Sequence, residues 1–200
     1  MIRFFILAFT LVVAFPMSGA AQKSAMSKAE REAAWRAERL KKREAERAKI
    51  AAEDSIAFVQ AVEALRGGSW ALEASSITFN NGVTRFVTSS TNYVAVNAGE
   101  GTVQTAFNNT NINSPNGLGG VTLEGDVWGE RMGTDDEGNV FFSCSIQGNG
   151  ISAVIYVTLA VNTNQASARV NANYSGNRMT FSGYLYPYNS AGIFEGQPSY

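Results

Sequence analysis

Beyond Ser69 the sequence alternates apolar and polar residues with a period of two, and this alternation constrains the fold more than any other feature. Such alternation is typical of β-strands that bury one face. It is clearest in four segments, which are VTLEGDVWG (121–129), VFFSCSI (140–146), ISAVIYVTLAV (151–161) and RMTFSGYLY (178–186). Short turns rich in Gly, Asn and Asp separate the segments, as at 80–82 and 148–150, and such turns favour hairpins.

These patterns predict a mainly β domain. We expect eight or nine antiparallel strands in a meander that curls into a barrel or half-barrel, because closing a sheet removes its exposed edges. Cys144 shares one strand face with Phe142 and Ile146. We therefore expect this single cysteine to be a small buried apolar residue rather than a reactive thiol.

The first residues carry a targeting pattern. Arg3 precedes the apolar run FFILAFTLVVAF (4–15), and the small residues of SGAAQ (18–22) follow at cleavage spacing. This is typical of a secretory signal peptide, and the run is too short to span a bilayer. We predict a signal peptide over 1–21, export to the periplasm or cell envelope, and no transmembrane span after cleavage, with an uncleaved anchor as the alternative.

Residues 22–54 are highly charged and rich in Ala, Glu, Lys and Arg, without Gly or Pro. This composition favours an exposed helix, and Ser27 with Glu30 forms a capping-box pattern. Oppositely charged pairs at i,i+4 spacing, such as Glu32 and Arg36, would further stabilise this helix. The sequence predicts a solvated helical spacer without a sustained heptad seam, with a partner-binding or membrane-surface helix as the alternative.

The third segment, 55–200, begins with a different helical pattern. Phe58, Ala61, Val62 and Leu65 fall on one helix face, which indicates a helix that packs against the β domain. Gly67 and Gly68 end it, so one long helix, or two joined near Asp54, leads into the strands. This segment carries five Arg, no Lys and ten acidic residues, and it offers no basic face for nucleic acid.

Five glycines fall between Ser114 and Glu130. A strand, not a helix, follows them, which argues against a phosphate-binding loop. Gly125 and Gly129, like Gly183, are predicted to permit bends within strands. The alternative is a ligand-lining loop formed by Pro115, Asn116, Gly117, Gly119 and Gly120.

Few residues suggest catalysis. The chain has no histidine and one cysteine, which removes Ser-His and Cys-His pairs and most zinc sites. Glu124 and Asp126 share a strand face and leave a hydrolase as an alternative. The acidic run TDDEGN (134–139) lacks the ligand order of a calcium loop and predicts a hairpin turn instead. We expect no enzyme activity, no cofactor and no metal.

A set of aromatic residues is predicted to face away from the main apolar side of the strands, namely Trp128, Phe141, Tyr156, Tyr184 and Tyr186. They form either a second small core under the helix that contains Phe58 and Leu65, or an exposed surface for a protein, a glycan or peptidoglycan.

The run from Gly68 to Tyr188 resembles a family of exported proteins, mostly from Bacteroidetes, known as domain of unknown function 4251. The segments that carry the resemblance include GGSWALEASSITF, PNGLGGVTLEG, GNVFFSCSIQGNGISA and RMTFSGYLYPY. The resemblance implies an exported, mostly β protein of a Gram-negative envelope. It implies no catalytic residue, because the family brings no established activity.

Three hypotheses for function remain open. The first is a non-catalytic envelope protein whose β module binds an envelope protein, a glycan or a small apolar ligand. The second is a structural adaptor that uses the charged helix and the β domain for different partners. The third is the hydrolase with paired carboxylates.

Overall fold

The computed structural model describes residues 26–107, 119–150, 152–173 and 178–196. One α-helix, α1 (Lys28–Arg66), precedes the strands and is continuous through Asp54. The chain divides into two compact units, Met1–Glu44 and Ala45–Tyr200. Over the described residues, α1 contains no stretch long and apolar enough to cross a membrane.

The described part of the first unit is an exposed helix. The predicted capping box is present, because the Glu30 carboxylate accepts from the Ser27 backbone N–H at 2.7 Å while Ser27 Oγ accepts from the Glu30 N–H at 3.2 Å. These bonds lower the pKa of Glu30, with the Ser27 backbone N–H as the largest cause. The predicted Glu32–Arg36 pair is also present at 4.0 Å. Residues 26–53 are exposed, and the spacer reading of this helix stays a prediction.

The second unit contains the strands, all of which pair antiparallel. In the described residues they are β1 (Ser69–Phe79), β2 (Thr84–Phe86), β3 (Tyr93–Asn97), β4 (Glu100–Gln104), β5 (Thr122–Thr134), β6 (Val140–Gln147), β7 (Ser152–Leu159), β8 (Gln165–Ala172) and β9 (Arg178–Pro187). Their order in the sheet is β2-β1-β3-β4-β5-β6-β7-β8-β9, and β1 also pairs with β9. Eight strands therefore close a barrel, and β2 is an extra strand beside β1. The predicted fold class is confirmed.

Inward side chains from the barrel strands form one continuous core. The last turns of α1 contribute Ala61, Ala64 and Leu65 to the same cluster, with Phe58 and Val62 packed against it. The amphipathic segment predicted before Gly67 thus packs on the inner core and does not cover the outer aromatic residues. Because eight-stranded barrels have an interior just wide enough for side chains, this core fills the barrel.

Three strand glycines were predicted to permit bends, and the structure separates their roles. A Cβ on Gly125 would overlap the backbone carbonyl of Gln147, and one on Gly183 would overlap the carbonyl of Glu73. These two glycines allow neighbouring backbones to approach closely. Gly129 differs, because it has φ +67° beside the bulge between Trp128 and Arg131. Register irregularities lie at Gly129 and also opposite Gly183, between Ala74 and Ser76. The bend at Gly125 stays a prediction.

A C-terminal segment, 188–196, crosses the outside of the barrel. We call it the strap. Tyr188, Ala191 and Ile193 of the strap pack on the buried outer residues Tyr93 and Ala95. The Glu73 carboxylate accepts from the Gly192 backbone N–H at 2.6 Å. The strap therefore covers the outer face of β1 and β3.

Candidate functional site

Because side chains fill the barrel interior, a binding site is expected on the outer surface. Outward side chains of β5, β6, β7 and β9 include four of the five aromatic residues singled out from the sequence as exposed groups. Their exposed fractions are 64% for Trp128, 43% for Phe141, 49% for Tyr156 and 43% for Tyr184. Of the two alternatives for these residues, the structure supports an exposed surface.

Phe141 and Tyr156 lie in one groove on this surface. The groove has a volume of about 300 Å³, and Arg131, Ser143 and Thr158 also line it. In the register of β6 and β7, Phe141 pairs with Thr158 and Ser143 pairs with Tyr156. The two rings are therefore diagonal neighbours, within reach of each other across the strands. We call this the aromatic groove.

A second cleft continues the same surface across β8 and β9. It has a volume of about 480 Å³ and shares Thr158 with the aromatic groove. Thr158, Ser167 and Ser182 occupy successive positions across β7, β8 and β9, which gives a row of hydroxyl groups. Tyr184 lines the same cleft. We call it the hydroxyl cleft.

The remaining two aromatic residues lie apart from these clefts. Trp128 pairs with Ser145, in a row that continues to Val154. Tyr186 pairs with Ala71 where β9 meets β1, and it is half-buried. The predicted stripe of five is thus a central pair, Phe141 and Tyr156, with Tyr184 in the adjoining cleft and two outlying residues.

Sequence reasoning missed the arginines of this surface. Arg131 lines the aromatic groove, and Arg169 pairs with Tyr156 on the adjacent strand. The sequence did contain a signal for a positively charged surface, because residues 138–194 contain no Asp or Glu. In the part of the chain that the structure describes, neither guanidinium forms an ion pair.

The carboxylates that kept a hydrolase open lie elsewhere on the barrel. Glu124 and Asp126 are on β5, opposite Thr102 and Glu100 of β4. Burial raises the pKa of Glu124, and the negative charges of Glu195 and Glu100 raise it further. Within the described residues, no group of three or more His, Cys, Asp or Glu side chains could hold a metal ion.

The acidic run at 134–139 forms the predicted hairpin between β5 and β6. The Asp135 carboxylate accepts from the backbone N–H groups of Glu137 at 3.0 Å and Asn139 at 2.8 Å. Bonds from Asn139, chiefly from its side chain, lower the pKa of Asp135. The Asp135 carboxylate thus stabilises the turn.

The candidate ligand-lining loop falls mainly outside the described residues, which include neither Pro115, Asn116 nor Gly117. Gly119 has φ +83°. A Cβ on Gly120 would overlap the carbonyl of Thr105. Local chain geometry therefore accounts for both described glycines without a ligand.

The domain model of the DUF4251 family, a domain of unknown function, matches residues 52–185 of this chain. The chain belongs to the DUF4251 family. The match confirms the resemblance seen in the sequence and extends it into the last part of α1. The residues that line the aromatic groove and the hydroxyl cleft all lie within the matched range.

A solved structure supports the assignment. The chain is similar to a DUF4251 family protein from Bacteroides eggerthii, with a TM-score of 0.62 and 48% sequence identity. The similarity covers 72% of this chain and 96% of the other. No curated protein matches this DUF4251 chain.

Proposed function

We propose that this DUF4251 protein is a non-catalytic, exported cell-envelope protein that binds a partner through the outer face of its barrel. The observation that carries the proposal is the contrast between the two faces of β6 and β7. Phe142, Ile155 and Val157 are buried in the core, whereas Phe141 and Tyr156 are exposed in the aromatic groove. Exposed rings in a groove are typical of binding surfaces.

The filled interior favours the outer face over the lumen. Trp70 and Phe142 meet inside the barrel edge to face, with ring centroids 5.5 Å apart. Large side chains of this kind occupy the space that a small apolar ligand would need. A small apolar ligand, one of the partners expected from the sequence, is therefore less suited to this barrel than an envelope protein or glycan bound outside it.

Export is supported by the sequence pattern at the N-terminus. Arg3, the apolar run 4–15 and the small residues at 18–22 form a signal peptide pattern. A domain with one cysteine needs no disulfide in an oxidising compartment, and burial of that cysteine protects it there. Fractionation of cells that express the full-length chain should therefore recover it with the periplasm or envelope.

The binding proposal is tested by sedimentation of the protein with isolated cell envelopes. We expect the wild type to co-sediment and the double variant Phe141→Ala/Tyr156→Ala to lose most of this binding. Phe86→Ala is the matched control, because Phe86 is an exposed ring on β2 outside the groove. Equal binding by the wild type and the double variant, or no binding by the wild type, would contradict the proposal.

A further inference from the structure

One row of side chains crosses the aromatic groove from β5 to β8. Arg131 pairs with Ser143, Ser143 with Tyr156, and Tyr156 with Arg169. Neighbouring strands lie about 4.8 Å apart, so the two arginine backbones are separated by roughly 14 Å. The row thus places one guanidinium at each end, with a hydroxyl and an aromatic ring between them.

The charge of this row stands out against an acidic domain. The segment 55–200 has a net charge of −5, from five Arg and ten acidic residues. Strands β6 to β9 contain no acidic residue. Arg169 on β8 is therefore exposed on strands that carry no carboxylate, whereas Arg131 is exposed on β5, which carries Glu124, Asp126 and Glu130.

Glu130 precedes Arg131 in the sequence and lies near Gly68. Glu130 Oε1 lies 3.6 Å from the position that a Cβ on Gly68 would occupy. Its negative charge also raises the pKa of the buried Cys144. Glu130 is exposed, and in the described residues it forms no ion pair with Arg131.

The groups between the arginines suit a sugar chain. A sugar ring presents C–H faces that pack on aromatic rings, and hydroxyl groups around its rim that exchange hydrogen bonds. The aromatic groove offers Phe141 and Tyr156, and the hydroxyl cleft continues it with Thr158, Ser167 and Ser182. Arginine adds the planar pair of donors that matches a carboxylate.

We propose that this face binds a carboxylate-bearing polysaccharide, with Arg131 and Arg169 contacting carboxylates and Tyr156 stacking on a sugar between them. This inference rests on the proposed function and names its ligand class. Nucleic acid is a poorer fit, because the groove continues into the hydroxyl groups of Thr158, Ser167 and Ser182 and not into further cations for a phosphate backbone.

The decisive experiment compares two forms of one polymer. Protein expressed from the full-length chain is titrated with polygalacturonate and with the same polymer after methyl esterification, which removes the charge and keeps the sugar. We expect polygalacturonate to bind roughly tenfold more tightly than the ester, as for charge-assisted contacts. High salt should reduce that difference, because the groove is open to solvent.

Single substitutions in the aromatic groove test which side chains contact the polymer. Arg131→Gln and Arg169→Gln should each weaken polygalacturonate binding roughly three- to tenfold and leave binding of the ester unchanged. Arg85→Gln is the matched control, since it removes an exposed arginine from β2 and should have no effect. Tyr156→Ala should weaken binding of both polymers. Thermal melts confirm that each variant is folded.

Three results would contradict the proposal of a carboxylate-bearing polysaccharide. They are equal affinity for both polymers, equal losses in Arg85→Gln and the two groove variants, and no binding of polygalacturonate. If envelope sedimentation still depends on Phe141 and Tyr156 in those cases, the partner is a protein or neutral glycan and the proposed function stands. If sedimentation is also absent, both proposals fail.

Discussion

The side-chain amide of Gln104 donates to the backbone carbonyl of Phe194 at 2.8 Å, joining β4 to a residue 90 positions later. Gln104 is fully buried, and its amide also donates to the Thr91 carbonyl at 3.1 Å. Its side-chain oxygen accepts from the Thr122 hydroxyl at 3.1 Å and the Gly196 N–H at 2.7 Å. One polar side chain thus fixes the strap to the barrel.

We expect Gln104→Leu to destabilise the protein by about 2–4 kcal/mol, because it removes bonds that several strap and barrel groups make away from water. Urea denaturation measures the loss, and limited proteolysis should show faster cleavage within 188–196. Gln165→Leu is the control, since Gln165 is exposed on β8, and its effect should stay within about 0.5 kcal/mol. Equal stability of the two variants would show that Gln104 does not hold the strap.

Gly125→Val should prevent stable folding. The added Cβ would overlap the carbonyl of Gln147, which is backbone and cannot rotate away as a side chain can. Gly133→Val on the same strand is the control, because a Cβ there meets no atom within 4 Å. Thermal melts compare the melting temperatures of the two variants. A Gly125→Val protein as stable as the control would show that the Gln147 backbone does not require a glycine at position 125.

Removing residues 21–54 should leave the barrel folded. The buried residues of α1 are Ala61, Ala64 and Leu65, all beyond the deletion, and Met26 to Glu53 are exposed. A longer deletion that ends at Leu65 should instead cost several kcal/mol, because it removes apolar groups from the core. Urea melts of both truncations test this, and a large loss in the shorter one would mean that the charged helix stabilises the barrel.

Cys144 should resist thiol reagents in the folded protein. It is buried, and burial, aided by the charge of Glu130, raises the pKa of its thiol to about 12. Because the folded state holds this proton more tightly than the unfolded state, the thiol's contribution to stability falls as the pH rises above its ordinary range. Labelling at about pH 8, slightly below the ordinary thiol pKa of about 8.5, should require urea, and rapid labelling without it would place Cys144 at the surface.

The alternation of side chains made the barrel predictable. Residues such as Phe142 and Ile155 follow the period of two and lie inside, and the turns at 80–82 and 148–150 separate paired strands. The strap was not predictable in the same way. Its packing joins residues far apart in sequence, such as Gln104 and Phe194, and no local period reports such contacts.

The aromatic residues illustrate the same limit at the candidate site. Their outward direction followed from alternation, but their grouping depends on strand register. Phe141 and Tyr156 meet because Ser143 pairs with Tyr156, whereas Trp128 lies in another row. The arginines entered the site for the same reason, since Arg169 reaches Tyr156 only through the β7–β8 register.

Closure of the barrel by β1 and β9 has a kinetic consequence. Ser75 Oγ donates to the Ser182 carbonyl across this junction, 107 positions along the chain. Contacts so distant in sequence slow folding, because a long loop must close before they form. Until β9 has been synthesised, β1 presents an open edge to other chains. We infer that a chain truncated before Arg178 would aggregate, and that a chaperone able to cover that edge would raise the yield of the complete protein.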